Sequence, residues 1–277
     1  MDLLYIGAMD NVTAQSAKHE HEQGVGAKAV AGSERLDPRE RLIVALDFPS
    51  AEKAMELVER LEGRCRWFKV GMELYCAAGN RVIEGLRERG YEVFLDLKLH
   101  DIPNTVAGAV RSVAGVGASL LTVHAGGGEA MMRAAAQAAS APVAPKLLAV
   151  TVLTSMDATG LRSVGVGGET GSTANALHAQ VMRLARLARA SGIDGLVCSA
   201  EEVEAVRAAM GPEMLLVVPG IRPAGSAGRR DDQSRVASAR EAIARGASML
   251  VVGRPITQAA DPAEVAAAIL AEVASAQ

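Results

Sequence analysis

From residue 42 to the C-terminus the chain repeats one alternation eight times: a short apolar run, then an amphipathic, Ala-rich stretch. The runs cover 42–46, 67–70, 93–97, 120–123, 147–152, 195–198, 215–218 and 249–252. The amphipathic stretches cover 51–61, 81–89, 105–114, 129–139, 176–190, 201–210, 235–245 and 262–273. Near-continuous apolar runs suit parallel strands buried on both faces, with the stretches between them as crossover helices. Eight such units in about 235 residues match the size of a closed (β/α)8 TIM barrel. A doubly wound open sheet is the rival fold, but no Gly-x-Gly-x-x-Gly turn follows the first run, and eight units favour closure. The barrel should occupy 37–277. Residues 1–36, with His19-Glu20-His21-Glu22-Gln23 among Gly, Ala and Ser, show no sustained apolar period and read as a disordered extension.

Composition narrows the function classes. Of 277 residues, 49% are hydrophobic and only 3% aromatic, so the core must be built from Ala, Val, Leu, Ile and Met. The net charge of −3 argues against nucleic acid as a partner, because phosphate backbones are held by a basic excess. Cys65, Cys76 and Cys198 are too few and too scattered for a disulfide framework or a zinc centre, and read as small buried hydrophobes in a reducing compartment. No apolar run approaches a membrane span of about 18 residues. Residues 1–6 are too short for a signal-peptide core, and Asp2 and Asp10 have the wrong charge for one, so a cytoplasmic protein is expected.

A barrel of this kind places its chemistry at the carboxyl ends of the strands. Those ends carry Asp47, Lys69, Asp96, Lys98, His124, Thr151, Thr154, Ser155, Ser199, Arg222, Gly253 and Arg254. The most informative stretch is Asp96-Leu97-Lys98-Leu99-His100-Asp101-Ile102-Pro103-Asn104-Thr105. Strand side chains alternate, so Asp96 and Lys98 should share the inward face while Leu95, Leu97 and Leu99 meet the helices. Pro103 and Asn104 suit the start of the next helix. A salt bridge for its own sake needs one acid and one base. Here several charges converge, which suits a carboxylate array that keeps Lys98 protonated and aimed at a substrate.

That stretch resembles the signature of orotidine 5′-phosphate decarboxylase in its bacterial form. Ala45-Leu46-Asp47, Phe68-Lys69-Val70-Gly71, Val152-Leu153-Thr154-Ser155, Pro219-Gly220-Ile221-Arg222-Pro223 and Val252-Gly253-Arg254-Pro255-Ile256 resemble the family's other motifs, in its order. The resemblance runs from about residue 41 to the C-terminus; the extension has no counterpart, and the 222–233 loop is longer through Arg229-Arg230. It implies cofactor-free decarboxylation of orotidine 5′-monophosphate to uridine 5′-monophosphate, with no metal. The implied catalytic residues are Lys98, Asp96, Asp101 and Lys69. Lys98 would stabilise and then protonate the carbanion at ring carbon six, Asp96 would orient Lys98, and Asp101 would reach the neighbouring site of a homodimer. Asp47, Lys69 and Thr105 would hold the ribose, Ser155 and Thr154 the pyrimidine, and Gly253, Arg254, Arg222 and Gln233 the phosphate.

Two other functions compete. A sugar-phosphate decarboxylase or aldolase of the same superfamily would share Asp-x-Lys-x-x-Asp but bind magnesium; the Ile102-Pro103-Asn104-Thr105 continuation and the Thr154-Ser155 pair argue against it. A non-catalytic nucleotide-phosphate sensor would show a broken array, yet Asp96, Lys98 and Asp101 are all present. Other features have plain readings. His124-Ala125-Gly126-Gly127-Gly128 suits a polar strand end and a tight turn, and Gly165-Val166-Gly167-Gly168 a surface loop. Met131, Met132, Met156, Met182 and Met210 suit core or loop packing, and Arg183, Arg186 and Arg189 a solvated helix face.

Overall fold

The computed structural model describes residues 36–166, 173–222 and 237–276, the side chains at 173–175 excepted. The 1–36 extension (but for Leu36), Gly167, Gly168 and Gln233 therefore lie outside the described residues. Eight parallel strands close on themselves in chain order. They are β1 (Leu42–Ala45), β2 (Trp67–Gly71), β3 (Glu92–Leu99), β4 (Leu120–His124), β5 (Lys146–Val150), β6 (Gly195–Val197), β7 (Leu215–Val218) and β8 (Met249–Val252). Closure is direct: Ile43 of β1 pairs with Val251 of β8.

Helices fill every crossover. They are α1 (Ala51–Arg60), α2 (Met72–Ala78), α3 (Asn80–Glu88), α4 (Pro103–Ala114), α5 (Gly128–Ala138), α6 (Ala158–Ser163), α7 (Thr173–Ala190), α8 (Val203–Met210), α9 (Ala239–Ala244), α10 (Arg254–Thr257) and α11 (Pro262–Ser275). Their starts follow the sequence chemistry. Ser50 caps α1 through Lys53 N–H, Ser238 and Glu241 form a reciprocal capping box on α9, and Pro103 stands in the first turn of α4. Three short helices, α2, α6 and α10, were not expected, being too brief to show a helical period.

The apolar strands serve two packed layers. Ile43, Phe94, Leu120, Leu148, Val217 and Met249 fill the barrel, whereas Leu42, Phe68, Leu95, Leu121 and Val218 meet the helices. Gly195 belongs to the inner layer, where a Cβ would lie 2.6 Å from Leu148 Cδ2 and from Leu215 Cβ. Met131, Met132, Met182 and Met210 are buried, and Arg183, Arg186 and Arg189 are exposed, as expected. One reading needs correction: Cys65 and Cys198 are buried, but Cys76 lies exposed on α2. Burial pushes the Cys65 thiol up to about 12.

Candidate active site

The inward face of β2 runs from Trp67, at the bottom of the barrel, to Lys69 near its mouth. The Lys69 ammonium is nearly buried and donates to Asp47 Oδ1 at 2.7 Å, just beyond β1. It also faces Asp96 Oδ2 at 3.9 Å. Gly71 makes room for this pair: a Cβ there would stand 2.9 Å from Lys69 Nζ and 3.1 Å from Asp47 Oδ1. Asp47 is the most exposed member, at 55%, against 10% for Lys69 and 14% for Asp96.

On β3 the strict alternation expected from sequence fails beyond Asp96. Leu95 pairs with Leu121 of β4, but the next registered pair is Leu99 with Val123, so Asp96, Leu97 and Lys98 together oppose Thr122. Lys98 adopts φ 51°, the left-handed region, which costs a non-glycine residue about 1–2 kcal/mol. The bulge still delivers the expected ion pair, with Lys98 Nζ donating to Asp96 Oδ1 at 2.8 Å. The Thr122 hydroxyl, fully buried, donates to the same Oδ1 at 3.0 Å and accepts the Lys98 backbone N–H at 2.8 Å. Sequence reasoning passed over Thr122; the available signal was one hydroxyl at an inward position of an otherwise apolar run.

These charges line a cavity of about 260 Å³ at the carboxyl ends of the strands. Asp47, Lys69, Asp96, Lys98, Thr154, Arg222, Gly253 and Arg254 all reach its wall. Three expected residues do not. Ser155, Asp101 and Thr105 are exposed and absent from the lining, and Asp101 turns its carboxylate to the Ile102 N–H at 2.6 Å. Gln233 lies outside the described residues. The two sides of its loop are tied together by the Arg222 N–H to Ala237 carbonyl bond, 3.0 Å, beside the Ile221–Ala237 bridge.

His124 ends β4 as a polar strand end, its Nδ1 accepting the Gly126 N–H at 3.0 Å across a short 3₁₀ turn. Its ring stacks on His100 with centroids 5.2 Å apart. Burial first, then the neighbouring His100 and Lys98, lowers the affinity of His124 for a proton, which favours an uncharged imidazole beside the lysine.

Fold and site together define a (β/α)8 barrel enzyme with a lysine–carboxylate array at the mouth of the barrel. The orotidine 5′-phosphate decarboxylase / HUMPS family model matches residues 40–269, and the chain belongs to that family. The orotidine 5′-phosphate decarboxylase of Anaeromyxobacter dehalogenans is 52% identical over 236 residues, 85% of this chain and 99% of its own. That of Halorhodospira halophila is 52% identical over 237 residues, covering 85% and 97%. Among solved structures, orotidine 5′-phosphate decarboxylase from Lactobacillus acidophilus superposes with a TM-score of 0.72 at 38% identity, covering 84% of this chain and 99% of that one.

Proposed function

We propose that this protein decarboxylates orotidine 5′-monophosphate to uridine 5′-monophosphate and carbon dioxide, the final step of pyrimidine nucleotide synthesis, without a cofactor. One observation carries the reading: a lysine ammonium clamped by a carboxylate at 2.8 Å on the wall of a polar cavity, within a chain of this family. Breaking the bond from ring carbon six to the carboxylate leaves its electron pair in the ring plane, where conjugation cannot spread it. Lys98 supplies the fixed positive charge that lowers the energy of this carbanion, then transfers a proton from Nζ to carbon six and recovers one from water. Asp96 holds that ammonium in place, and Lys69 balances Asp96 from the opposite side while binding the ribose together with Asp47. Thr154, on the cavity wall, and Ser155 next to it in the chain are assigned to the pyrimidine through the family, and Gly253, Arg254, Arg222 and Gln233 take the phosphate, a dianion suited to a guanidinium fork.

The chain works as a homodimer in this proposal, with Asp101 serving the partner's site and Thr105 assigned to the ribose. Support for the dimer comes from the exposed start of the loop after β3: Asp101 does not line its own cavity, and Ile102 beside it is 66% exposed. Residues 37–277 form the catalytic domain, and the extension is dispensable for catalysis. The enzyme works in the cytoplasm; no helix among the described residues is long and apolar enough to cross a membrane.

A spectrophotometric assay of orotidine 5′-monophosphate loss in excess chelator tests the activity. Turnover sustained with chelator supports it, whereas a requirement for magnesium favours the sugar-phosphate rival. Mixing and refolding Lys98→Ala with Asp101→Ala chains tests the shared site. One site of each mixed dimer is then intact, restoring about a quarter of wild-type activity; no recovery removes the dimer argument.

A further inference from the structure

The Thr122 hydroxyl stands where β3 leaves the ladder. Four steps along β3, from Leu95 to Leu99, correspond to two along β4, from Leu121 to Val123. A bulged residue loses its regular ladder partner, and at Lys98 the replacement is a side chain, since its N–H donates to Thr122 Oγ1 at 2.8 Å. The same oxygen carries the proton donated to Asp96 Oδ1 at 3.0 Å. A hydroxyl has one proton to give and lone pairs to accept, so both bonds can hold at once. Lys98 Nζ reaches that same Oδ1 at 2.8 Å. One oxygen on β4 thus grips both the backbone and the ion-pair partner of the lysine.

Thr122 is fully buried, so water does not stand in when the hydroxyl is removed. Valine has the same shape and neither bond. It leaves the Asp96 carboxylate oriented by the two lysines alone, and the left-handed Lys98 backbone without its anchor.

We propose that Thr122 is a positioning residue for proton delivery: it acts through Lys98 and Asp96 and does not touch the substrate. The inference rests on the assignment of Lys98 as the proton donor. Small displacements of a donor weaken the reacting state more than substrate binding, so the expected signature is a split between kcat and KM.

The test compares the purified variants Thr122→Val and Thr122→Ser with wild type in steady-state turnover of orotidine 5′-monophosphate. Thr122→Val is expected to lower kcat about 10- to 100-fold, the scale of a hydrogen bond to a charged group, with KM changed less than about 3-fold. Thr122→Ser keeps the hydroxyl and should stay within about 3-fold of wild type in both constants. Affinity for uridine 5′-monophosphate should be unchanged in each. If the valine variant fails to fold by circular dichroism, Thr122→Ala replaces it in the same comparison. A valine or alanine variant with more than half the wild-type kcat overturns the inference, as does a serine variant that loses as much as valine. Lys98→Ala separates the two levels. If it is inert while Thr122→Val is fully active, only the role of Thr122 falls. If Lys98→Ala is active, the donor assignment falls and takes this inference with it.

Discussion

The two ends of the barrel both carry charge at least partly withdrawn from water, and they use it differently. At the amino-terminal end a cavity of about 690 Å³ is floored by Trp67, Leu120, Leu215 and Met249. Arg207 there donates to the carbonyls of Gly211, Pro212, Met214 and Gly246 and to Ser248 Oγ, and Arg41 donates to those of Ala247 and Ser248. Glu40 is held by Arg66 and the Trp67 indole N–H. Burial lowers the pKa of both arginines below their usual range, Arg41 further through the nearby Arg207, yet their donors end on neutral oxygens, backbone carbonyls and one hydroxyl, around the starts of β7 and β8. At the other end the cavity is smaller, but there charge faces charge across strands: Lys69 on Asp47 and Asp96, Lys98 on Asp96, with a left-handed lysine in between. Volume does not distinguish a site. Charges aimed at one another across an open wall, at a local cost in backbone conformation, do.

Removing one charge at each end should therefore have opposite consequences. Lys98→Ala is expected to lose several orders of magnitude in kcat while the chain remains folded, because the only amine on the inward side of β3 is gone. Circular dichroism and steady-state assays check both halves, and a variant keeping a tenth of the wild-type rate would refute the assignment. Stability should fall modestly, since Asp96 loses its nearest cation.

Arg254 follows at the mouth of the cavity, after β8, where barrels commonly bind phosphate. Arg254→Ala is expected to lower kcat/KM by at least about 100-fold, more than one ordinary charged contact. Added guanidinium ion should restore part of the loss. Orotidine without its phosphate should be a poor substrate, indifferent to the change. An equal loss on that substrate would mean that Arg254 does not grip phosphate.

At the opposite end, Arg207→Met should leave kcat and KM as they are and cost stability instead. Carbonyls at 211–214 and at Gly246, and the Ser248 hydroxyl, lose a donor, a penalty of about 3 kcal/mol or a fall in Tm of roughly 6–12 °C. A large loss of activity at a temperature where the variant is folded would erase the contrast between the two ends.

How much of that contrast was legible beforehand depends on the length scale of each signal. The eight strands were readable because a run such as Leu215–Val218 is apolar at every position, which only a strand buried on both faces tolerates. The ion pair of Asp96 and Lys98 was readable from identity and resemblance, although the alternation used to argue it breaks at the bulge. Nothing local in Asp96-Leu97-Lys98 announces a positive φ. The bulge depends on Thr122, 24 residues further along the chain, and is a property of the pairing. Gly71 was quoted as part of a motif, but its reason, the space beside Lys69 Nζ, exists only once β1 and β2 are adjacent. Asp101 and Thr105 were assigned through the family. Both are exposed and off the cavity wall, so the described residues give no geometric reason for either.

The smallest expected effect concerns His124, which sits between the two kinds of region: a structural cap by its Nδ1, and a neighbour of Lys98 by its position. Its value in the folded protein lies below the ordinary 6.5, chiefly through burial, with His100 and Lys98 adding to the shift. The unfolded chain therefore binds the proton more readily than the folded one. The stability contributed by uncharged His124 is complete above 6.5 and is lost as the pH falls from 6.5 through the lower folded value. Asparagine can keep the acceptor for the Gly126 N–H without a titrating group in this window. Urea midpoints at pH 7 and pH 5 should accordingly fall less for His124→Asn than for wild type, even if the variant starts slightly lower through loss of the His100 stack. An equal or steeper fall in the variant would show that the imidazole accepts a proton in the folded state as easily as in water. The site would then have to tolerate a second cation beside Lys98, and the electrostatic division between the two ends of the barrel would be weaker than the geometry indicates.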